Sequence, residues 1–337
     1  MIWSDGFTAS YYITLVDPKT WRDNGRHEIT GGAVTRSADG LMQSADIDMT
    51  EMPSSGEAWV RIWLDASQEG VEHVPLFTGL TSAPARDING RRESYQVECY
   101  SVLKPADDVL TDRGYYVAAE VPAAQAAARL LSVGPAPVEV EAVSNPPRLK
   151  ESVIAENGET NLTLARKILD AIGWRIRVDG TGRIHIEQEP DETAAVFDTA
   201  ANDVIELSLT DEYDWYSCPN VFRAVSGDLT TVARDDDPAS VLSTVSRGRE
   251  IWAEETSVQL GANESLAAYA IRRLRELQSP ARTVSYSRRF DPHVGVGDLI
   301  RINHPEIGID GLFRVRAQDL SLSYGCRTSE TASEERR

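Results

Sequence analysis

The sequence predicts a strand-rich α+β fold, with strands toward both ends of the chain and helices mainly between them. Two observations support this prediction. Apolar and polar residues alternate, as in half-buried strands, in many short segments of residues 1–105 and 191–325. Between these regions, and once more after residue 263, the spacing of apolar residues becomes that of an amphipathic helix. The length of 337 residues favours two or three domains.

Residues 1–105 contain short alternating segments separated by glycine-rich turns. SADIDM (44–49) alternates apolar and acidic residues, and AWVRIWLD (58–65) is partly apolar on both faces. The pair Asn89-Gly90 is a strong hairpin signal and comes just before another alternating segment, YQVECYSV. We therefore expect a small antiparallel β-barrel or sandwich in this region.

Residues 106–190 change to helical periodicity and then return to strands. AAQAAARLL (123–131) is helical in composition and follows Pro122. TNLTLARKILDAIG (160–173) has one apolar stripe, with Thr160 as the expected N-cap and Gly173 as the expected C-terminal stop. Its continuation, WRIRVDGTGRIHI, alternates on both sides of a glycine turn, which predicts a hairpin. We expect these residues to form a separate helix–hairpin insert.

Residues 191–325 are predicted to form a second small antiparallel β-barrel that contains one helix. The helix ESLAAYAIRRLRELQ (264–278) is expected to be capped by Asn263 and to end before Pro280. Its leucines Leu266, Leu274 and Leu277 should be buried, because they share one face with Ala270.

Three strands are predicted after this helix, in TVSYSRRF, DLIRI and GLFRVRAQDLSLSY. Turns are expected at Gly295–Gly297 and at Asp310-Gly311, because glycine and aspartate favour turns. The last segment, CRTSETASEERR (326–337), is predicted to be a polar, frayed tail.

The charge of the chain disfavours two classes of partner. There are 53 acidic and 34 basic residues, a formal net charge of −19. Affinity for duplex DNA comes mainly from Lys and Arg, so specific nucleic-acid binding is not expected, and an anionic membrane surface is disfavoured for the same reason. The sequence shows no signal-peptide pattern and no apolar run of about 20 residues, so we expect cytoplasmic synthesis and no integral membrane segment.

No motif for catalysis, cofactor binding or metal binding is recognisable. The sequence has no phosphate-binding loop and no GxSxG motif, and its five histidines are isolated. The cysteines Cys99, Cys218 and Cys326 are far apart and are expected to be reduced and structural. The acidic run ARDDDPAS (233–240) lacks the spacing of a calcium loop and is expected to be a solvated loop. We therefore predict no catalytic, cofactor or metal site and no enzyme activity, although a hydrolase with an unrecognised pair of acids remains an alternative.

The seven tryptophans raise the possibility of carbohydrate binding. Trp59 and Trp63 flank Arg61 on one face of a predicted strand and could stack on a sugar or on a neighbouring subunit. Burial in the core or contact with another subunit is the favoured interpretation. A carbohydrate- or receptor-binding module remains an alternative. The other tryptophans are scattered: Trp3, Trp21, Trp174, Trp215 and Trp252.

Three segments resemble the baseplate hub proteins of long phage tails and phage-derived tail devices. ITGGAVTRSADGLMQSADIDM (29–49), with VRIWLD and VPLFTGLTSAP after it, resembles the first hub domain. NLTLARKILDAIGWRIRVDGTGRIHIE (161–187) is similar to the helix–hairpin insertion of these hubs. NVFRAVSG (220–227), together with the segments from ARDDDPAS to IDGLFRVRAQDLSLSY, resembles the second hub barrel.

This resemblance implies a structural protein of the virion, at the tail tip or baseplate. It implies a homotrimeric ring in which each chain offers two similar barrels, so that six positions can dock under a six-fold tail tube or distal tail protein. The same ring would present three-fold symmetry to a central spike protein. The resemblance brings no catalytic residues to this sequence. DNA passing through the lumen would meet an acidic wall if the excess negative charge lies there.

Overall fold

The structure is a computed structural model that describes residues 1–90, 92–199, 204–261, 264–278 and 282–335, and only the backbone of Arg92 and Leu207. Asn263 and Pro280, which were predicted to bound the last helix, lie outside the described residues. Strands predominate over helices, which confirms the strand-rich α+β fold. No helix within the described ranges is long and apolar enough to cross a membrane.

The strands in chain order are β1 Thr8–Val16, β2 Asp23–Glu28, β3 Gly31–Ser37, β4 Gln43–Met49, β5 Trp59–Ser67, β6 Val71–Thr81, β7 Ala85–Asn89, β8 Arg92–Ser101, β9 Tyr116–Val117, β10 Val138–Val140, β11 Val153–Ile154, β12 Trp174–Val178, β13 Ile184–Gln188, β14 Thr193–Asp198, β15 Ile205–Tyr213, β16 Val221–Ser226, β17 Leu229–Arg234, β18 Trp252–Glu255, β19 Arg282–Arg288, β20 Leu299–His304, β21 Ile309–Ser321 and β22 Thr328–Glu334. The helices are α1 Lys104–Asp108, α2 Ala123–Leu131, α3 Asn161–Asp170, α4 Thr244–Arg247 and α5 Leu266–Gln278, and 3-10 turns form at Pro305–Ile307 and Tyr324–Cys326.

One large sheet of 14 strands joins the two strand-rich regions of the chain. Its main path runs β15-β19-β22-β21-β3-β4-β8-β6-β5-β1-β2, and β14, β20 and β7 pair beside this path. The connection between the regions is the antiparallel pairing of β21 with β3, from Ala317 opposite Ser37 to Ser321 opposite Ala33. The apolar core of the first region also includes Phe290 and Leu320 from the second. The regions therefore share both a sheet and a core.

The two predicted helices and the predicted hairpin of residues 106–190 are present, with the predicted local signals. Helices α2 and α3 cover the three-stranded sheet β10-β13-β12, and their apolar residues form one core. The Thr160 side chain accepts a hydrogen bond from the Thr163 backbone N–H at the start of α3. Gly173 has a φ of +66°, which ends the helix and turns the chain into β12. The helix and hairpin thus follow from capping and periodicity alone.

The tip of the β12–β13 hairpin holds the insert against the first strand region. The Thr181 carbonyl accepts hydrogen bonds from Trp21 Nε1 at 3.0 Å and Arg61 Nη2 at 2.9 Å. The neighbouring Gly180 carbonyl accepts one from Thr78 Oγ1 at 2.8 Å. The hairpin therefore ends in direct polar contact with β5 and β6.

A small unit of β16, β17, β18, α4 and α5 carries the predicted late helix. Its sheet packs against α5, and the shared core includes Phe222 and Ala270. Leu274 is buried as predicted, whereas Leu266 and Leu277 are only partly buried against the same core. The predicted apolar face of the helix is confirmed, with less complete burial at its two ends.

One turn prediction was wrong. Asp310 and Gly311 lie inside β21, opposite Asn303 and Ile302 of β20. The chain instead reverses earlier, in the turn Pro305–Ile307 and at Gly308, whose φ is +73°. Proline starts the turn and a glycine with positive φ ends it, so the reversal needs neither residue of the predicted pair.

The prediction of a frayed tail at 326–337 was also wrong for most of that segment. Residues 328–334 form β22, which pairs with β19 on one side and β21 on the other. The prediction assumed that the polar residues of this segment would be exposed, whereas Thr328 and Glu330 are polar and buried. Glu330 is tolerated there because it forms an ion pair with the buried Arg288 at 2.6 Å.

Candidate functional site: an acidic, hydroxyl-rich sheet face

One face of the large sheet carries small hydroxyl and acidic side chains from β15 to β8. Side chains alternate between the two faces of a strand, so residues directly opposite one another across paired strands share a face. In β4, Ala45, Ile47 and Met49 are buried in the core, and Asp46 and Asp48 are exposed on the other side. The same alternation in the neighbouring strands extends this outer surface.

Two rows of directly opposed residues show how the surface is built. One row runs Ser287, Ser329, Asp319, Thr35 and Ser44. The other runs Thr210, Ser285, Thr331, Ala317 and Ser37.

Hydroxyl groups bridge neighbouring strands along these rows. Thr35 Oγ1 donates to Asp319 Oδ1 at 2.8 Å, and Ser287 Oγ and Ser329 Oγ lie 3.1 Å apart. We call this surface the acidic face, defined by the two rows and by Asp46, Asp48 and Glu98. None of the residues that define it is Lys or Arg.

The carboxylates of the acidic face lie close together, and no Lys or Arg belongs to the rows between them. Asp46 is directly opposite Glu98 in the β4–β8 pair, and Asp48 is two residues further along β4. Like charges directly opposite each other destabilise a sheet. The hydroxyl of Tyr100 donates to Glu98 Oε2 at 2.8 Å, and this hydrogen bond raises the pKa of Tyr100. The arrangement concentrates negative charge on this part of the sheet.

One part of the acidic face forms an open groove. Its volume is about 310 Å³, and it is lined mainly by serine and threonine side chains of β15, β19 and β22. Within the described residues, no group of three or more His, Cys, Asp or Glu side chains could hold a metal ion.

A buried polar network supports the acidic face from beneath. Glu330 accepts hydrogen bonds from Tyr286 at 2.6 Å and from Gln318 at 2.5 Å, in addition to its ion pair with Arg288. Gln318 also donates to the Val294 carbonyl at 2.9 Å. Burial and the Glu330 carboxylate hold the pKa of Tyr286 well above its ordinary value. Sequence reasoning missed this network because Glu330 lies in the segment that was predicted to fray.

The predicted tryptophan face is largely occupied by the protein itself. Trp59 packs on Trp21, with ring centroids 5.6 Å apart, and contacts the core of the insert. Arg61, between the two tryptophans, is buried and bonded to the hairpin tip. Trp63 stacks on Tyr12 with centroids 6.3 Å apart. The two tryptophans therefore do not form one open platform.

Several of the other residues considered in the sequence have structural roles. His185 Nε2 lies 2.9 Å from Asp179 Oδ2. The cysteines, all three within the described ranges, are buried and no disulfide joins them. In the acidic run, Asp235 accepts a hydrogen bond from Ser240 Oγ at 2.7 Å, and Asp237 Oδ1 accepts one from the Ala239 backbone N–H at 2.9 Å.

Comparison with solved structures identifies the class of fold. A tail protein from Neisseria meningitidis superimposes with a TM-score of 0.72 at 15% identity, covering 97% of this chain and 96% of that one. The 43 kDa tail protein of prophage MuSo2 from Shewanella oneidensis gives a TM-score of 0.69 at 13% identity, covering 97% and 98%. A component of the E. coli type VI secretion system, which exhibits structural similarity to T4 bacteriophage tail proteins, gives 0.55 at 12% identity, covering 92% and 74%.

The chain therefore has the fold of phage tail proteins and of related secretion-system proteins along nearly its whole length. The resemblance found in the sequence is confirmed at the level of the fold. No protein-family model matches the sequence, and no curated protein matches it.

Proposed function

We propose that this protein is a structural component of a phage tail tip or baseplate and serves there as the central hub, without enzyme activity of its own. The observation that carries the proposal is the acidic face, which extends over strands of both strand-rich regions in their shared sheet. The match to the Neisseria tail protein supports it, because it covers 96% of that protein and not a single domain.

The hub is proposed to be a homotrimer. Each chain supplies two strand-rich regions, 1–105 and 191–325, joined through β3 and β21. If each region forms one small barrel, three chains supply six barrels around one axis, which matches a six-fold tail tube on one side and a three-fold spike on the other. The insert, 106–190, would then lie beside the ring and not within it.

We place the acidic face toward the lumen of this ring. A wall of carboxylates and small hydroxyl groups repels the phosphate backbone, and none of the residues that define the acidic face is a Lys or Arg that could retain it, so DNA passes without adhering. The proposed partners are a tail tube or distal tail protein above and a central spike below. The proposed location is the virion.

Two experiments test the proposal: a measurement of the oligomeric state, and a measurement of DNA binding after charges on the acidic face are reversed. Light scattering and electron microscopy of the purified chain should give the mass of a trimer and a ring with a central channel. The triple variant D46K/E98K/D319K should then retain duplex DNA at low salt and release it as salt rises, because the reversed charges lie on the wall.

A control triple variant changes the net charge of the protein by the same amount at positions outside the acidic face. The variant E151K/D228K/E306K replaces three exposed acids outside the acidic face and should retain much less DNA. A chain that stays monomeric at every concentration contradicts the hub role. Equal retention of DNA by the two triple variants contradicts the assignment of the acidic face to the lumen.

A further inference from the structure

A cleft of about 400 Å³ lies where the first strand region, the β12–β13 hairpin and the second strand region meet. It is lined by residues of β3, β4 and β6, by residues of the hairpin, and by the turn at 292–298 that precedes β20. We call it the junction cleft and define it by Arg36, Gln43, Arg175, Gly180 and Val296. Its volume is within the range of sites that bind small molecules.

A row of polar side chains crosses the core side of the large sheet and ends at the junction cleft. Its directly opposed members are Tyr286, Glu330, Gln318, Arg36 and Gln43. Glu330 accepts hydrogen bonds from Tyr286 at 2.6 Å and from Gln318 at 2.5 Å. Arg36 Nη1 then donates to Gln318 Oε1 at 3.4 Å. Hydrogen bonds therefore join the second strand region to the first along this row.

The row is interrupted between its last two members. Arg36 and Gln43 are directly opposite each other in the β3–β4 pair. Nevertheless, Arg36 Nε and Gln43 Oε1 are buried and have no hydrogen-bond partner within the described residues. Gln43 is only 7% exposed, and its amide orientation is fixed because Nε2 donates to the Val178 carbonyl at 2.6 Å. Buried polar groups without partners are costly, so this pair calls for a molecule that accepts from Arg36 and donates to Gln43.

The charged side chains around the junction cleft are balanced. Three arginines and three acids line it: Arg36, Arg175, Arg177, Asp179, Glu187 and Asp298. Glu187 is paired with Arg175 at 2.7 Å and with Arg177 at 2.8 Å. Asp179 Oδ2 lies 2.9 Å from His185 Nε2. A lining with as many positive as negative side chains favours a ligand without net charge.

A hydroxyl group has the chemistry that the interrupted row requires. Its oxygen accepts one hydrogen bond while its proton is donated in another, so one hydroxyl serves both Arg36 Nε and Gln43 Oε1. An oxyanion would accept from Arg36 but would bring negative charge toward the Gln43 oxygen. An ammonium group would donate to Gln43 but would meet the Arg36 guanidinium. Apolar side chains of Val74, Phe290 and Val296 line other parts of the cleft and suit a carbon skeleton.

We propose that the junction cleft binds a neutral polyhydroxyl compound of the saccharide class, with one hydroxyl group bridging Arg36 and Gln43. The bound compound would contact the hairpin and both strand regions at once. Because binding to the folded chain stabilises it, the ligand should also hold the hairpin more firmly against the two regions. This site is separate from the acidic face, and its use does not depend on the oligomeric state.

The test measures binding of glucose, galactose, mannose and N-acetylglucosamine to the full chain by ligand-observed NMR and by thermal unfolding. At least one sugar should bind saturably and raise the melting temperature. Gln43→Leu removes the acceptor and should weaken binding by about tenfold. Gln278→Leu is the matched control, because Gln278 is also buried and donates to a backbone carbonyl, that of Pro219 at 3.1 Å, but does not line the cleft. It should bind sugar like the unchanged chain, and circular dichroism verifies that both variants are folded.

A second measurement needs no variant and decides the matter if Q43L does not fold. Bound sugar should slow hydrogen exchange at 174–188 and 292–298 of the unchanged chain, and not in β16 to β18. Protection confined to other segments overturns the proposal.

Three further results would also overturn it. If none of the four sugars binds, water alone bridges Arg36 and Gln43. If inorganic phosphate or acetate binds and the sugars do not, the ligand is an anion held by Arg36. If a folded Q43L binds sugar as tightly as the unchanged chain, the sugar lies elsewhere.

Discussion

Replacing Gly180 by alanine should release the hairpin tip from the first strand region. A Cβ atom at this position would lie 1.9 Å from the Pro75 carbonyl oxygen and 2.6 Å from its carbonyl carbon. Both are backbone atoms of β6, which is paired along most of its length with β5. The strand cannot yield by rotating a side chain, so the tip of the hairpin must move away.

The expected magnitude follows from the hydrogen bonds at the tip. Moving the tip removes one bond to the Gly180 carbonyl and two to the Thr181 carbonyl, from Thr78, Arg61 and Trp21. A hydrogen bond contributes about 1 kcal/mol net, so the free energy of unfolding should fall by about 3 kcal/mol. Part of this loss should appear as local opening of the insert.

The assay is chemical unfolding combined with hydrogen exchange over residues 174–188. Gly56→Ala is the matched control, since a Cβ there meets nothing within 4 Å. That control should change stability by no more than about 1 kcal/mol. In G180A, amides of the hairpin should exchange faster, while those of β19 to β22 should not.

Equal stability of the G180A and G56A proteins, with unchanged exchange in the hairpin, would refute the reasoning. It would mean that the hairpin tip is not held against β6 as the structure shows. Loss of protection over the whole chain would contradict the local character of the effect.

Three further predictions concern the core, the pH dependence and the thiols. Leu274→Ala should lower the free energy of unfolding by about 2–5 kcal/mol, because Leu274 is only 4% exposed in the core of the small unit. Thermal unfolding should show a lower melting temperature, and an unchanged melting temperature would contradict this prediction. Burial by itself would raise the pKa of Asp179 and of Glu187. Hydrogen bonds from His185 and Thr181 outweigh this effect at Asp179, and those from Arg177 and Arg175 outweigh it at Glu187. Both pKa values therefore lie below their ordinary range. The stability that Asp179 and Glu187 contribute is therefore complete above about pH 4 to 5 and is lost as the pH falls through their lowered pKa values. Hydrogen exchange of the hairpin should become faster in acid. This acceleration should be smaller in D179N. Burial raises the pKa of Cys99 to about 12 and that of Cys326 to about 11, so both thiols should react with a disulfide reagent only after unfolding, and rapid reaction of the native protein would contradict their burial.

Helix α3 and the β12–β13 hairpin could be predicted from the sequence because their signals are local. The cap at Thr160, the stop at Gly173 and the alternation from Trp174 each act within a few residues, and all three appear in the structure. The alternation of Ala45 and Ile47 with Asp46 likewise identified which side of β4 would be buried.

The acidic face could be predicted only in part. The negative charge of the chain and the acidic side of β4 are visible in the sequence, but the opposition of Asp46 to Glu98 is not. That pairing depends on the register between two strands about 50 residues apart. The exposure of Tyr213, Trp215 and Tyr216 could not be predicted either, because aromatic residues among polar ones are compatible with either a core or a surface.

What the sequence determined by itself was the local conformation of most segments, together with the charge that disfavours binding to DNA. Only the tertiary structure decided that residues 328–334 belong in the middle of a sheet and that β21 meets β3. The pairing of β22 with β19 and the pairing of β21 with β3 both join segments far apart in the chain. A polar strand such as β22 is stable only where a partner such as Arg288 satisfies its buried carboxylate, and that partner is 42 residues away in the sequence.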